Sequence, residues 1–262
     1  MRKLGISIPG TPAIGDQAYI ELMAANGFKA TFTGVWEKER QLNVANLLAK
    51  HGIDYETLHA PFGHINDMWL DCEGGDVMLE ELKQCIDHCV MAGAGIAVVH
   101  LSAGDLAPTV TDLGRARFAR LVEYAQQKNI RIAFENQRKL ANLAWAFETF
   151  SSDDGVDFCW DCGHESCFTP GREYMPLFGK RLICTHIHDN HGEYNCDEHL
   201  LPFDGSMDFA HVAEQVRNSP FKGSLMLEVK QPMPGYYEEL TADAFLARAY
   251  QAAYRLGELA GN

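Results

Sequence analysis

Short apolar, β-prone runs alternate with segments of helical periodicity along the whole chain. The runs predict eight strands, at residues 4–8, 29–33, 55–59, 96–101, 131–135, 157–161, 182–188 and 224–229. Apolar residues three and four positions apart predict helices between them, at 16–26, 37–50, 76–92, 113–128, 141–150, 209–218 and 243–258, and a short one around 170–178. A regular alternation of this kind predicts a parallel sheet covered by helices.

The number of repeats favours a closed barrel over an open sheet. Eight units follow one another without a linker or a low-complexity spacer, and 262 residues is a typical length for one such barrel. The first predicted strand is followed by Ile8-Pro-Gly-Thr-Pro, which lacks the glycine pattern of a dinucleotide-binding turn. The predicted fold class is therefore α/β, as a single (β/α)8 TIM barrel over residues 1–262.

Charge and cysteine usage narrow the class of partner and the compartment. The net charge of -14 disfavours nucleic acid and anionic membranes, which are engaged mainly by Lys and Arg. The sequence has no apolar run near the roughly 20 residues of a membrane span and no secretory leader after Met1. A chain of this length does not need disulfides, so we expect eight reduced thiols and a cytoplasmic protein. Cys159-Trp-Asp-Cys162 has no second CxxC to complete a zinc knuckle.

Ionisable side chains end six of the predicted strands or follow them closely. They are His59, His100, Glu135, Asp161 with His164, His186 with His188, and Glu228. The carboxyl ends of barrel strands converge on one mouth, where barrel enzymes place their chemistry. One such residue alone would be structural, but clustered carboxylates need protons or a cation between them. Imidazole and carboxylate are ligands of Zn, Mn and Fe, so the pattern predicts a divalent-metal site.

Six motifs carry these residues and extend the pattern into the following loop. They are Leu58-His-Ala-Pro, Phe134-Glu-Asn, Trp160-Asp-Cys-Gly-His, Thr185-His-Ile-His-Asp-Asn, Asp197-x-His199 and Leu227-Glu-Val. Together they resemble the xylose-isomerase-like TIM-barrel superfamily, nearly from end to end. That superfamily contains sugar and sugar phosphate isomerases and epimerases, and also the DNA-repair enzyme endonuclease IV. The motifs are specific for the superfamily and say almost nothing about the substrate.

The resemblance implies a four-ligand site for one divalent ion, Mn, Zn, Co or Fe. Its ligands would be Glu135, Asp161, His186 and Glu228. His186 is preferred to His188 because His186-Ile-His-Asp189 matches the family's His-x-Lys/Asn-Asp pattern. The remaining residues would bind substrate or additional metal, since most of them match the ligands with which endonuclease IV holds a multi-zinc cluster of up to three ions. They are His59, His100, His164, His188, Asp197 and His199.

The resemblance favours a metal-dependent isomerase or epimerase of a small carbohydrate. Glu135 and Glu228 would face each other across the substrate and transfer a proton beside its carbonyl through a metal-stabilised enediolate. No Arg-rich or Gly-rich phosphate pocket is visible near the late strands, which favours an unphosphorylated substrate. Barrels of this type commonly pair, so a homo-oligomer is also compatible with this interpretation.

Two alternatives remain open on the same ligands. One is an abasic-site nuclease like endonuclease IV with several zinc ions. Two loop features are unsuited to binding a bent duplex: the acidic segment Gly34-Val-Trp-Glu-Lys-Glu-Arg, and Gly63 where a bulky side chain would fill the gap at the lesion. The other is a lyase or dehydratase acting on keto-sugars or inositols.

Overall fold

A closed parallel barrel forms the centre of the molecule. The computed structural model describes residues 2–231 and 235–261. Their eight strands are β1 Leu4–Ile6, β2 Ala30–Gly34, β3 Asp54–His59, β4 Ile96–His100, β5 Arg131–Glu135, β6 Val156–Asp161, β7 Leu182–His186 and β8 Leu225–Leu227. They pair in parallel in the order β7-β6-β5-β4-β3-β2-β1-β8. A bridge between Ile187 and Leu227 joins the two ends of this order. The predicted single (β/α)8 TIM barrel is confirmed.

The helices follow the strands as the periodicity predicts. They are α1 Asp16–Asn26, α2 Lys38–His51, α3 Glu73–Ala92, α4 Asp112–Gln127, α5 Leu140–Thr149, α6 Cys162–Phe168, α7 Met175–Phe178, α8 Phe209–Asn218 and α9 Ala242–Leu259. Short 3-10 helices occupy Ile65–Trp69 and Gly179–Arg181. Within the part of the chain that the structure describes, none of these helices combines the length and apolar character that crossing a bilayer requires. The eight cysteines are all free thiols.

The sequence-based boundaries differ from the structure at the barrel mouth. The predicted strands at 4–8, 182–188 and 224–229 are longer than β1, β7 and β8, and beyond β7 the ladder gives way to the single bridge of Ile187 with Leu227. Helix α6 is missed altogether, since its seven residues include a glycine and have no apolar period. Its first turn is instead stabilised by Asp161, whose carboxylate accepts a hydrogen bond from the His164 backbone N–H at 2.6 Å.

The inward-facing side chains of the strands form successive layers along the barrel axis, and the layer at the carboxyl ends contains the candidate functional residues. Since alternate residues of a strand share a face, residues two apart lie in successive layers. The middle layer contains small apolar side chains from four adjacent strands: Val98, Ala133, Cys159 and Cys184. In the layer below it, two positions before Ala133 and Cys159, an ion pair joins Arg131 to Asp157. Two residues later, at the carboxyl ends, come the polar residues His100, Glu135, Asp161 and His186. The middle layer is therefore the apolar floor of the mouth.

Candidate metal centre

Four side chains from neighbouring strand ends converge at the mouth. Glu135, Asp161, His186 and Glu228 each offer one ligand atom, and these atoms lie within 4.8 Å of one another. We call these four residues the primary ligand set. The side chains of Glu135 and Asp161 are fully buried, and that of Glu228 is 20% exposed. The four residues predicted to share a metal are thus close enough to do so.

Imidazole rings surround the carboxylate of Glu135. Its Oε2 atom lies 3.1 Å from His59 Nε2 and 2.8 Å from His100 Nε2. Its Oε1 atom lies 3.2 Å from His186 Nδ1 and 3.3 Å from His164 Nδ1. Burial alone would raise the pKa of Glu135, but attraction to His186 and His100 and the hydrogen bonds from these rings outweigh it and hold the pKa well below its usual range. Glu135 is therefore ionised.

Several buried polar atoms at this site have no hydrogen-bond partner among the described residues. They are His100 Nδ1, Asp161 Oδ2, His186 Nε2, both ring nitrogens of His188, and Asp197 Oδ1. His188 Nε2 lies 3.1 Å from Asp161 Oδ1 without hydrogen-bond alignment. An unpaired buried polar atom costs about 1–3 kcal/mol, and clusters of them call for a missing partner. Nitrogen and carboxylate oxygen donors that converge in this way fit a divalent metal ion.

A second group of potential ligands adjoins the first. Asp161, His164 and His188 also bring ligand atoms within 4.8 Å of one another, and all three are buried. We call these three residues the second ligand set. Asp197 extends it, with Oδ2 at 2.8 Å from His199 Nε2 and 3.7 Å from His164 Nε2. Desolvation would raise the pKa of Asp197, but hydrogen bonds from His164 and His199 and attraction to His199 and His188 keep it well below its usual range.

The loop after β7 brings His188 and His199 together by an unusual backbone conformation. Their rings stack with centroids 4.1 Å apart. His199 has a positive φ of 55°, a backbone conformation that residues other than glycine rarely adopt. Its Nδ1 contacts the Glu228 backbone oxygen at 2.8 Å, and this contact connects the loop to the end of β8. Local strain of this kind is often maintained where function requires it.

Three residues to which the sequence analysis assigns no role support the ligands. The ring of Phe32 stacks on His186 at 4.5 Å between centroids. The amide nitrogen of Gln137 lies 3.2 Å from His100 Nε2 and 3.0 Å from His164 Nδ1. The side-chain amide of Asn136 donates a hydrogen bond to the Asp161 carbonyl and accepts one from the Asp161 backbone N–H. Asn136 belongs to the motif Phe134-Glu-Asn, the polar run directly after β5 is the only sequence signal for Gln137, and Phe32 resembles any other buried strand residue.

A cavity of about 580 Å³ opens beside the primary ligand set. Glu228, His59 and His199 line it, together with Lys230 and apolar residues such as Phe62. Glu135, Asp161 and His186 are not part of its wall. A molecule in this cavity would therefore meet Glu228 before the other carboxylates of the set.

Comparison with known proteins gives both a family match and relatives. A family model described as a xylose isomerase-like TIM barrel matches residues 17–248. The uncharacterized protein y4fM of Sinorhizobium fredii is 32% identical over 200 residues, which are 70% of this chain and 61% of that protein. The uncharacterized protein MJ1311 of Methanocaldococcus jannaschii is 24% identical over 190 residues, 66% of this chain and 64% of that protein. The matches span less than two thirds of either relative's length.

Solved structures with the same architecture cover nearly all of the chain. A D-tagatose 3-epimerase-like protein has a TM-score of 0.75 and 20% identity, with 98% of both chains covered. A D-psicose 3-epimerase determined in the presence of D-fructose has a TM-score of 0.74 and 14% identity, covering 99% of this chain and all of that one. The 3-keto-D-glucoside 4-epimerase YcjR of E. coli has a TM-score of 0.71 and 14% identity, with 98% and 100% covered. Likeness at these identities shows a shared fold.

Proposed function

The chain belongs to the xylose isomerase-like TIM-barrel family, and from that premise we propose that it is a divalent-metal-dependent isomerase or epimerase of a small carbohydrate. The observation that carries the proposal is the primary ligand set, with one carboxylate, Glu228, open to an adjacent cavity. The substrate class is supported by similar structures whose names are those of sugar 3-epimerases.

Glu135, Asp161, His186 and Glu228 would hold the ion, and Mn, Zn, Co and Fe all suit such mixed nitrogen and oxygen donors. The ion would supply Lewis-acid polarisation of the substrate carbonyl and stabilise the negative charge of the enediolate. The chain supplies an apolar floor, buried imidazoles and a carboxylate that lines the adjacent cavity.

We assign proton abstraction to Glu228, because it is the carboxylate of the primary ligand set that lines the cavity. The hydrogen bond from its backbone N–H to Ile187 O, at 3.0 Å, fixes its position at the barrel mouth. Return of the proton by Glu228 to the neighbouring carbon gives isomerisation, whereas epimerisation requires a second group that delivers a proton from the opposite face. Help from a general base of this kind is typically worth about 10²–10⁴ in rate.

Glu135, the other member of the predicted acid–base pair, has a different environment. Its side chain has no exposed surface, and imidazoles occupy both of its oxygens. We therefore propose that Glu135 serves as an ion ligand that also orients His59 and His100, and that it does not itself remove the substrate proton.

Deuterium exchange from solvent into a panel of aldoses and ketoses tests this proposal. We expect exchange in the ion-loaded protein, its loss after chelation, and a loss of about 10²-fold or more in Glu228→Gln. Glu123→Gln, which neutralises an exposed glutamate of α4, is the matched control and should retain full exchange. Undiminished exchange after exhaustive chelation or in Glu228→Gln would show that the proposal is wrong.

A second candidate function is favoured by the second ligand set. Two or three ions bound by both sets could activate water for phosphodiester hydrolysis, as predicted for a relative of endonuclease IV. Elemental analysis of the metal content per chain and cleavage of a duplex with an abasic site test it directly. A lyase or dehydratase would begin with the same proton abstraction, and it is recognised by loss of water from the labelled sugar.

A further inference from the structure

A second cavity, of about 340 Å³, lies at the same end of the barrel as the metal centre. Its wall includes Asp105 from the loop after β4, Arg138 and Lys139 from the loop after β5, Phe168 and Arg172 from the end of α6 and the segment beyond it, and Tyr194 from the loop after β7. We call it the basic pocket. Since loops after strands lie at the carboxyl end of a barrel, the pocket belongs to the functional mouth.

Positive charge exceeds negative charge in the basic pocket. Asp105 is already engaged, because it accepts hydrogen bonds from Tyr194 Oη at 2.6 Å and Asn195 Nδ2 at 2.8 Å and pairs with Arg138 Nε at 3.1 Å. In the part of the chain that the structure describes, no acidic side chain forms an ion pair with Lys139 or Arg172. Two cations without acidic partners in one concave site are unusual in a chain of net charge -14, and they favour an anionic ligand.

The start of helix α5 adds to the positive field. The helix spans ten residues, Leu140–Thr149, and its N-cap residue is Lys139, whose ammonium group has no acceptor with which to cap the first turn. The first backbone N–H groups of a helix lack intrahelical partners and carry a partial positive charge. This end of α5 therefore contributes a partial positive charge next to Lys139, and the lysine and arginine side chains of the pocket suit a phosphate group.

One aromatic ring separates the basic pocket from the second ligand set. The guanidinium of Arg138 packs on Phe168 at 3.5 Å from the ring centroid. Phe168 also stacks on the ring of His164, with centroids 4.6 Å apart. The thickness of one ring therefore separates the basic pocket from the second ligand set, and among the described residues the pocket shares no wall residue with the cavity beside Glu228.

We propose that the basic pocket binds the phosphate group of a phosphorylated carbohydrate. The carbohydrate part of this inference rests on the proposed function. A duplex phosphodiester backbone needs an extended row of cations, whereas here the cations surround one small cavity in an acidic chain. The expectation of an unphosphorylated substrate arose because the residues of the pocket come from separate loops, whose proximity local sequence does not reveal.

Titration of the full chain with inorganic phosphate tests the pocket without any turnover. The protein is first stripped of divalent ions and dialysed, so that phosphate cannot bind through a metal. We expect saturable binding to the wild type and a loss of affinity of about tenfold or more in the double variant Lys139→Ala/Arg172→Ala. The matched control is Lys50→Ala/Arg120→Ala, which removes the same charges from exposed positions on α2 and α4 and should change affinity by no more than about twofold.

The outcomes separate this inference from the proposed function. Absence of saturable phosphate binding by the wild type, or equal affinity in the double variant, would overturn the pocket assignment even if sugars exchange deuterium. Competition by duplex DNA that depends on the same two residues would overturn the monoester assignment in favour of a phosphodiester. A faster deuterium exchange into ketose phosphates than into free ketoses, lost in the double variant, would support it. Phosphate binding to the pocket can be measured even if no sugar exchanges deuterium, so the two proposals can fail independently.

Discussion

The imidazole of His188 lies against the α-carbon of Gly163, so closely that a β-carbon at position 163 would overlap the ring. Gly163→Ala should therefore displace His188 and open the second ligand set. We expect a loss of about 1–3 kcal/mol in the free energy of unfolding, as for other overpacked sites, and weaker binding of any ion that the second ligand set holds, measured by urea denaturation and metal titration. Gly95→Ala is the control, because nothing lies within 4 Å of its added carbon. Equal behaviour of the two variants would contradict the close packing.

Removal of the charge on Glu135 should damage both stability and ion binding. Four imidazoles lie within 3.3 Å of its oxygens, and removal of one partner from a buried charged cluster typically costs about 3–5 kcal/mol. We expect Glu135→Gln to lower the free energy of unfolding by a similar amount and to abolish deuterium exchange. Glu228→Gln, with a partly exposed side chain, should lose exchange with a much smaller change in the urea midpoint. A stable Glu135→Gln variant that exchanges normally would rule out Glu135 as a ligand.

Ion affinity should rise steeply with pH. Burial lowers the pKa of His186, but attraction to Glu228 and Glu135 outweighs this effect and raises the pKa to about 10 in the ion-free protein. An ion must displace that proton, so its affinity should increase about tenfold per pH unit between the unperturbed value near 6.5 and about 10. Calorimetric titrations in buffers of different ionisation enthalpy should show proton release on ion binding. An affinity that does not vary with pH in this range would refute the prediction.

The raised pKa of His186 also determines how the stability of the metal-free protein changes with pH. Since the folded pKa of His186 is raised, its contribution is fully present below the unfolded value near 6.5 and is lost as the pH rises towards about 10. Denaturation of the chelated protein should therefore occur at lower urea concentrations at pH 9 than at pH 7.

Phe32 should influence the metal centre through its stack on His186. Phe32→Leu keeps an apolar side chain, so the loss of stability should stay within about 1.5 kcal/mol, while ion affinity falls because His186 loses the flat surface that holds its ring. Phe158→Leu is the control, since Phe158 is equally buried but packs with Phe147 and Phe178 in the helix layer. An equal effect of both substitutions on ion affinity would show that the stack has no special role.

The sequence predicts the barrel and the common location of the ionisable residues because both depend on regular spacing. Polar residues at strand ends must share one mouth once eight parallel strands close, and the family resemblance then selects Glu135, Asp161, His186 and Glu228 among them. The positions of His188 and His199 relative to each other could not, since they depend on a loop with a left-handed residue. The basic pocket was missed for a related reason: its cations come from segments far apart in the chain, and only tertiary packing brings them together.

The two-residue repeat of the inward faces restricts how this site can change. A single-residue insertion within β5, β6 or β7 would rotate every following side chain of that strand from the lumen to the helix layer, and the ligand would be lost with it. The strands can therefore diversify by substitution but not by change of length. The loops beyond them are free of this restriction, so descendants of this scaffold would acquire new substrates through loops that lengthen or shorten while the ligand sets stay in place.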